Sequence, residues 1–137
     1  MKRSSMRVAK IANAIICDDV RVERNGKQLI IGVYSSDIVV PEAPALIPIM
    51  LWLQIDDVGS DTEEYDFIGT ISGTEFVKGK FSVSTISSPG RATISLGQFP
   101  LNIEREGKLK FDIKPAKNGR WKNAISIDLK IRPKPTA

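Results

Sequence analysis

Histidine is missing from this chain, and cysteine occurs once, at Cys17. Without an imidazole the usual general base and proton shuttle are gone, so neither a Ser-His-Asp nor a Cys-His mechanism is available within the chain. One thiol and no imidazole also fall short of the ligands that a zinc or iron–sulfur centre needs. A lone cysteine cannot form an internal disulfide, which fits a reducing compartment. No apolar run approaches the roughly 18 residues of a membrane-spanning helix. Near the N-terminus, Lys10 and Asn13 interrupt what would be the apolar region of a secretory signal. Ile16 stands before Cys17 where a lipoprotein site resembles a small residue. These absences predict a cytoplasmic protein with no membrane contact and no cofactor.

What remains is ordinary for one soluble domain: 137 residues, 42% hydrophobic and 26% charged. The expected domain spans 1–137, with loose tails at 1–7 and 133–137. The net charge of +4 conceals a division. Residues 1–74 carry 7 Lys and Arg against 11 Asp and Glu, giving −4, and residues 75–137 carry 13 against 5, giving +8. Such polarity steers and orients partners.

Hydrophobic alternation points to strands throughout. In V-R-V-E-R-N-G-K-Q-L-I-I, Val20 to Ile31, the Asn25-Gly26 pair is a strong hairpin signal, since a type I′ turn needs positive φ at both central residues. A two-residue loop pairs Val22 with Leu29 and Val20 with Ile31, placing four apolar side chains on one face, whereas a three-residue loop pairs Val22 with Gln28 and splits them. The two-residue register is therefore expected. Val8 to Cys17 reads as a central strand buried on both faces, with a short helix as the competing reading of A-K-I-A-N-A-I-I. Asp37 to Val40 suits a brief strand. After the Pro41-Glu42-Ala43-Pro44 break, Leu46 to Ile55 is the most apolar run. Pro48 favours a strand entering from an edge, with Ile49, Leu51, Leu53 and Ile55 facing the core and Met50 and Trp52 turned away.

Tyr65, Phe67, Gly69 and Ile71 alternate with polar positions, as do Phe81, Val83 and Thr85, and Ile94 and Leu96. The intervening turns are predicted at Ser72-Gly73-Thr74, Lys78-Gly79-Lys80 and Ser87-Ser88-Pro89-Gly90. Three-residue loops with glycine third, Arg105-Glu106-Gly107 and Lys117-Asn118-Gly119, would set Leu101 and Ile103, then Ile125, Ile127 and Leu129, on the same side as Leu109, Phe111 and Ile113. Eight or nine short strands with regular turns predict an all-β antiparallel sandwich, with a closed barrel as the alternative.

The segment Ala14 to Tyr34, containing C-D-D-V-R (Cys17 to Arg21), N-G-K (Asn25 to Lys27) and I-I-G-V-Y (Ile30 to Tyr34), is followed by Asp37-Ile38-Val39-Val40-Pro41 and a proline-flanked apolar strand. It resembles an uncharacterised bacterial family of small all-β proteins, a domain of unknown function. The resemblance is specific over about the first 55 residues and architectural beyond them. It implies a compact all-β fold of bacterial or phage-associated origin and transfers no catalytic residue.

Candidate sites are few. Cys17 lies in an apolar strand with no base to activate it and reads as a small buried hydrophobe. In an extended strand Asp18 and Asp19 point to opposite faces and form no carboxylate dyad, while Asp19 and Arg21 share a face as an ion pair. The acidic loop around Asp56, Asp57 and Asp61 offers oxygen ligands, a weak calcium candidate whose spacing matches no EF-hand. The strongest feature is a basic ridge. In the three-residue register Lys110 and Lys114 project from one strand and Lys122, Lys130 and Arg132 from its partner, with Lys114 directly across from Lys122, an arrangement that invites an anionic partner. Asp112 and Asp128 interrupt it, and no aromatic residues interleave for base stacking. A non-enzymatic module that binds an acidic protein through this face is expected. A nucleic-acid or other anion-binding accessory protein is the alternative, and self-association stays open.

Overall fold

Eleven strands and no helix make up the secondary structure of a computed structural model that describes residues 7–85 and 90–133. They are β1 (Arg7–Val8), β2 (Ile11–Val22), β3 (Gln28–Val33), β4 (Asp37–Val40), β5 (Ala45–Val58), β6 (Glu63–Ile71), β7 (Thr74–Val83), β8 (Gly90–Ile103), β9 (Gly107–Pro115), β10 (Gly119–Arg120) and β11 (Lys122–Ile131). One sheet has the order β3-β2-β5-β8 and the other β4-β11-β9-β6-β7, with the short pair β1-β10 beside them. Within the two main sheets only β4 and β11 run parallel. Neither sheet closes on itself, so the fold is a sandwich and not a barrel.

The alternation that predicts strands also fills the core. Ile49, Leu51, Leu53 and Ile55 of β5 and Leu101 and Ile103 of β8 face Leu109, Phe111 and Ile113 of β9, all fully buried. All five phenylalanines and Tyr65 form one aromatic chain, in which Phe99 of the four-stranded sheet lies 5.7 Å from Phe67 and 5.8 Å from Phe111 of the other. Ring contacts of this kind add about 0.5–1.5 kcal/mol each beyond the area they bury. No charged or polar side chain is buried among the described residues, so any chemistry is confined to the surface.

β2 is the central strand the sequence suggests, not a helix. Its hairpin with β3 corrects the expected register, because Val22 pairs with Gln28 and Arg21 with Leu29. The Glu23 N–H donates to the Lys27 carbonyl and the Gly26 N–H to the Glu23 carbonyl, closing a three-residue loop with Gly26 at φ 87°. Asn25 stays at negative φ and accepts the Lys27 N–H on its side-chain oxygen at 3.0 Å. The type I′ turn occurs elsewhere, at Ser72-Gly73 (φ 48° and 85°) between the paired Ile71 and Thr74.

The outer half of β2 leaves β5 after Cys17–Met50, and the β2–β3 arm continues alone. Gln28 pairs with Val22, seven residues from Ile15, which is over 20 Å along an extended strand. Gln28 nevertheless accepts the Trp52 indole N–H, and Trp52 pairs with Ile15. The arm therefore folds back over the outer face of its own sheet, covering Cys17 and half-covering Met50 and Trp52.

Other expectations also change. β5 is an interior strand, and Pro48 is tolerated because β2 no longer pairs with β5 past Met50. Lys78-Gly79-Lys80 is no turn but the middle of β7, where Gly79 faces Phe67; an added Cβ would come within 2.8 Å of that ring. β8 and β9 are not a hairpin: they belong to opposite sheets, and Arg105-Glu106-Gly107 crosses between them. At the β9–β10 turn the left-handed residue is Asn118 (φ 50°), not Gly119. The predicted turn at Ser87 to Pro89 and most of both tails lie outside the described residues.

Candidate functional site

The outer face of the five-stranded sheet gathers the basic residues. From β7 come Lys78 and Lys80, opposite Ile68 and Asp66 of β6, and from β9 come Lys110 and Lys114, opposite Thr70 and Asp66. The register between β9 and β11 is the expected one at Phe111–Ile125 and Leu109–Ile127, but a bulge between Asn123 and Ile125 shifts it by one toward the turn. Lys122 then pairs with Ile113, a core-facing position, and leaves the ridge. Its expected place across from Lys114 goes to Trp121, whose ring centre lies 5.0 Å from the Lys114 ammonium. An aromatic ring therefore does stand among the lysines. The bulge is pinned by the Asn123 amide, which donates to Asp112 Oδ1 at 2.9 Å and to the carbonyls of Phe111 and Ile125.

A shallow cleft of about 460 Å³ results, lined by Asp66, Ile68, Lys78, Lys80, Lys114 and Trp121 among others. Asp66 is its one carboxylate among the described residues, and two lysines share it, Lys80 at 3.3 Å and Lys114 at 3.9 Å. Trp121 is half-exposed. Lys130 is held by Asp37 at 3.0 Å, and Arg132 by Glu106, which also accepts the Ile131 N–H. That main-chain N–H and the Arg132 guanidinium hold the Glu106 carboxyl below its ordinary range. Lys78, Lys110 and Lys122 have no carboxylate within ion-pair distance among the described residues.

The ridge of Lys110, Lys114, Lys122, Lys130 and Arg132 is therefore not one continuous row. Lys110 and Lys114 share a face with Trp121, Lys122 turns out of it, and Lys130 and Arg132 are tied to acids near the β4 edge. Lys78 and Lys80 join the cleft from β7, a contribution hidden while K-G-K reads as a turn.

The acidic residues are similarly dispersed. Asp56 binds the Arg91 guanidinium at 2.7 Å, which lowers its carboxyl pKa, and Asp57 accepts from Lys10 at 2.6 Å. Asp61 is exposed in the loop before β6. No three His, Cys, Asp or Glu side chains are grouped to hold a metal ion among the described residues. Asp19 pairs with Arg21 at 3.1 Å as expected, and Asp18 instead accepts the Tyr34 hydroxyl at 2.7 Å. Burial raises the pKa of the Cys17 thiol, the opposite of what a nucleophile needs.

The fold and this face define a small all-β sandwich whose interior is apolar and whose polar groups converge only at the surface. No helix among the described residues is long and apolar enough to cross a membrane. The chain belongs to a family of unknown function, DUF6941, which it matches over residues 12–130. No curated protein matches it.

Proposed function

We propose that this protein is a non-enzymatic binding module that engages an acidic protein through the outer face of its five-stranded sheet, in a bacterial or phage setting and a reducing cytoplasm. The cleft carries the reading: Lys78, Lys80 and Lys114 surround the half-exposed Trp121 with, among the described residues, only Asp66 to balance them. Tryptophan beside cations anchors interfaces because it buries a large area at low entropic cost while its N–H stays available. The absence of histidine and of buried polar side chains among the described residues supports a role without catalysis. The single buried thiol and the sequence resemblance support the cellular setting.

The same ring favours a second reading, single-stranded nucleic acid, since a base can stack where a lysine row neutralises phosphate. Retention on immobilised poly-glutamate and on single-stranded DNA, measured against salt, separates the two. An acidic-protein module is retained on poly-glutamate and released by the Lys78→Glu, Lys80→Glu double variant. Tighter retention on DNA, with Trp121→Ala costing about 1–3 kcal/mol, assigns the face to nucleic acid instead. Retention on neither, or retention unchanged by the double variant, removes the reading.

A further inference from the structure

We propose that the acidic partner docks as an extended strand on the free edge of β7, an inference that rests on the acidic-protein reading of this face. Acidic side chains at alternate positions lie beside Lys78 and Lys80, and an apolar one between them lies beside Gly79. β7 ends the five-stranded sheet, and among the described residues no strand pairs with its outer side. Its pairing with β6 runs without a shift from Gly69–Val77 to Glu63–Val83, and no residue of that stretch has a positive φ. The other free edges are poorer templates. β4 is four residues long, β3 is broken by Gly32 at φ 69° and β8 by Gly97 at φ 130°. Among the described residues, a regular open ladder flanked by exposed lysines is therefore confined to β7.

Alternation in the ladder fixes which main-chain groups are free. The Ala116 N–H donates to the Glu64 carbonyl at 2.9 Å, and the Ser72 N–H to the Lys108 carbonyl at 2.8 Å, both on the β9 side. Even-numbered residues of β6 therefore turn their main-chain groups to β9, and Tyr65 and Phe67 bond across to Phe81 and Gly79. Lys78, Lys80 and Ser82 are left with N–H and C=O groups aimed at the open edge. A residue set opposite Lys78 or Lys80 puts its side chain on the lysines' own face, where opposite charges across a strand pair attract. Lys78 has no carboxylate within ion-pair distance among the described residues, and Lys80 has the Asp66 that it shares with Lys114. The residue between the two acids points inward instead. Gly79 has no Cβ there, the Phe67 ring lies 2.8 Å from where one would be, and Phe99, 5.7 Å from Phe67, is itself only partly buried. An apolar side chain beside Gly79 thus meets aromatic surface. Lysines at an edge ordinarily repel strands, so this edge rejects apolar and basic segments and admits one that brings acids. Main-chain bonds give such an addition its affinity, and alternate side chains give it selectivity.

Two end-blocked peptides of one composition, T-E-V-E-V-E-T and E-E-V-V-T-T-E, titrated into the full chain test this, since only the first holds acids two residues apart. The alternating peptide is expected to bind at least several-fold more tightly than its isomer and to lose that binding in the Lys78→Glu, Lys80→Glu double variant. Hydrogen exchange followed by NMR adds a readout that ion pairing alone does not move. With the alternating peptide bound, the amides of Lys78, Lys80 and Ser82 should exchange several-fold more slowly, while those of Gly79 and Phe81, already bonded to β6, stay protected throughout. Equal binding of the two peptides, no binding of either, or binding that leaves the edge amides fast overturns strand addition; lysine-dependent retention on poly-glutamate then still upholds the acidic-protein reading, and its loss removes both. Binding of the alternating peptide that survives the double variant overturns the proposal as well. Tighter binding of single-stranded DNA, with the edge amides still fast, overturns it and assigns the face to nucleic acid.

Discussion

The ammonium of Lys114 lies 5.0 Å from the centre of the Trp121 ring and 3.9 Å from the Asp66 carboxylate. It is thus held between a ring face and an acid, a geometry in which a cation–π contact contributes about 0.5–1 kcal/mol at an exposed site. This arrangement orders the cleft, because it fixes the ring beside the cations of β7. It also means that Asp66 suppresses the face it helps to build.

Replacing that acid should strengthen the face. Asp66→Asn leaves Lys80 and Lys114 without their shared carboxylate and raises the local charge by one. Exposed pairs of this type are worth about 0–1 kcal/mol, so folding stability should change little while the variant elutes from a polyanion column at higher salt. Earlier elution would mean that Asp66 holds the lysines in their binding positions.

Trp121 and Trp52 should respond differently to ionic quenchers. Trp121 is half-exposed with lysines on its cleft, whereas Trp52 is partly covered and donates its N–H to Gln28. Iodide, concentrated by the cations, should quench the emission far more strongly than caesium. Trp121→Phe should leave only the weakly quenched Trp52 signal. Equal quenching by the two ions would place Trp121 outside the basic field.

Alkaline titration probes the base of the β2–β3 arm. Burial, then the hydrogen bond to Asp18, pushes the Tyr34 phenol up to about 12, and burial raises Tyr65 as well. These are the only two tyrosines, so the folded protein should show no tyrosinate absorbance step near pH 10. The unfolded chain loses the Tyr34 proton near 10 while the folded chain keeps it to about 12. Stability from this group is therefore complete below pH 10 and is lost as pH rises through that window. Tyr34→Phe should flatten the alkaline fall in melting temperature, at a cost of about 1 kcal/mol near neutrality for the lost Asp18 bond. An absorbance step at pH 10 that Tyr34→Phe abolishes would show Tyr34 free in solution.

Alternation along I-M-L-W-L-Q-I was enough to assign the core face of β5, because a pleated strand buried on one side leaves little freedom. It could not assign Leu101 and Ile103 to a sheet, since both sheets turn apolar residues inward and a periodicity of two is the same from either side. The β2–β3 register failed for a related reason: the expectation assumed a buried face, and the arm exposes apolar residues on both sides, among them Val22 and Leu29. Lys110 and Lys114 were legible as outward-facing residues of one strand. Trp121 was not, because its position depends on a bulge fixed by Asn123, whose partners Asp112 and Phe111 are distant in sequence. Lys78 and Lys80 stayed hidden because glycine between lysines looks like a turn until Phe67 is seen to occupy the space of the missing side chain.

That last point extends to Gly69, which separates two uses of glycine in this fold. Gly69 sits inside β6, and an added Cβ would lie 2.7 Å from Val77 Cγ1, 2.8 Å from Phe111 Cε1 and 2.9 Å from Phe76 Cε1. These neighbours are fixed by the aromatic chain that joins the two sheets, so Gly69→Ala should destabilise by about 1–3 kcal/mol, the range for overpacking a filled core. Gly26 has nothing within 4 Å of its would-be Cβ, and only its φ of 87° resists substitution. Gly26→Ala should then cost about 1–2 kcal/mol, the penalty of left-handed backbone, and disturb only the arm. Chemical denaturation with hydrogen exchange distinguishes them: Gly69→Ala should lower protection across β6, β7 and β9 together, whereas Gly26→Ala should do so in β3 and the outer half of β2. Equal losses in both regions would mean that the arm and the sandwich unfold as one unit.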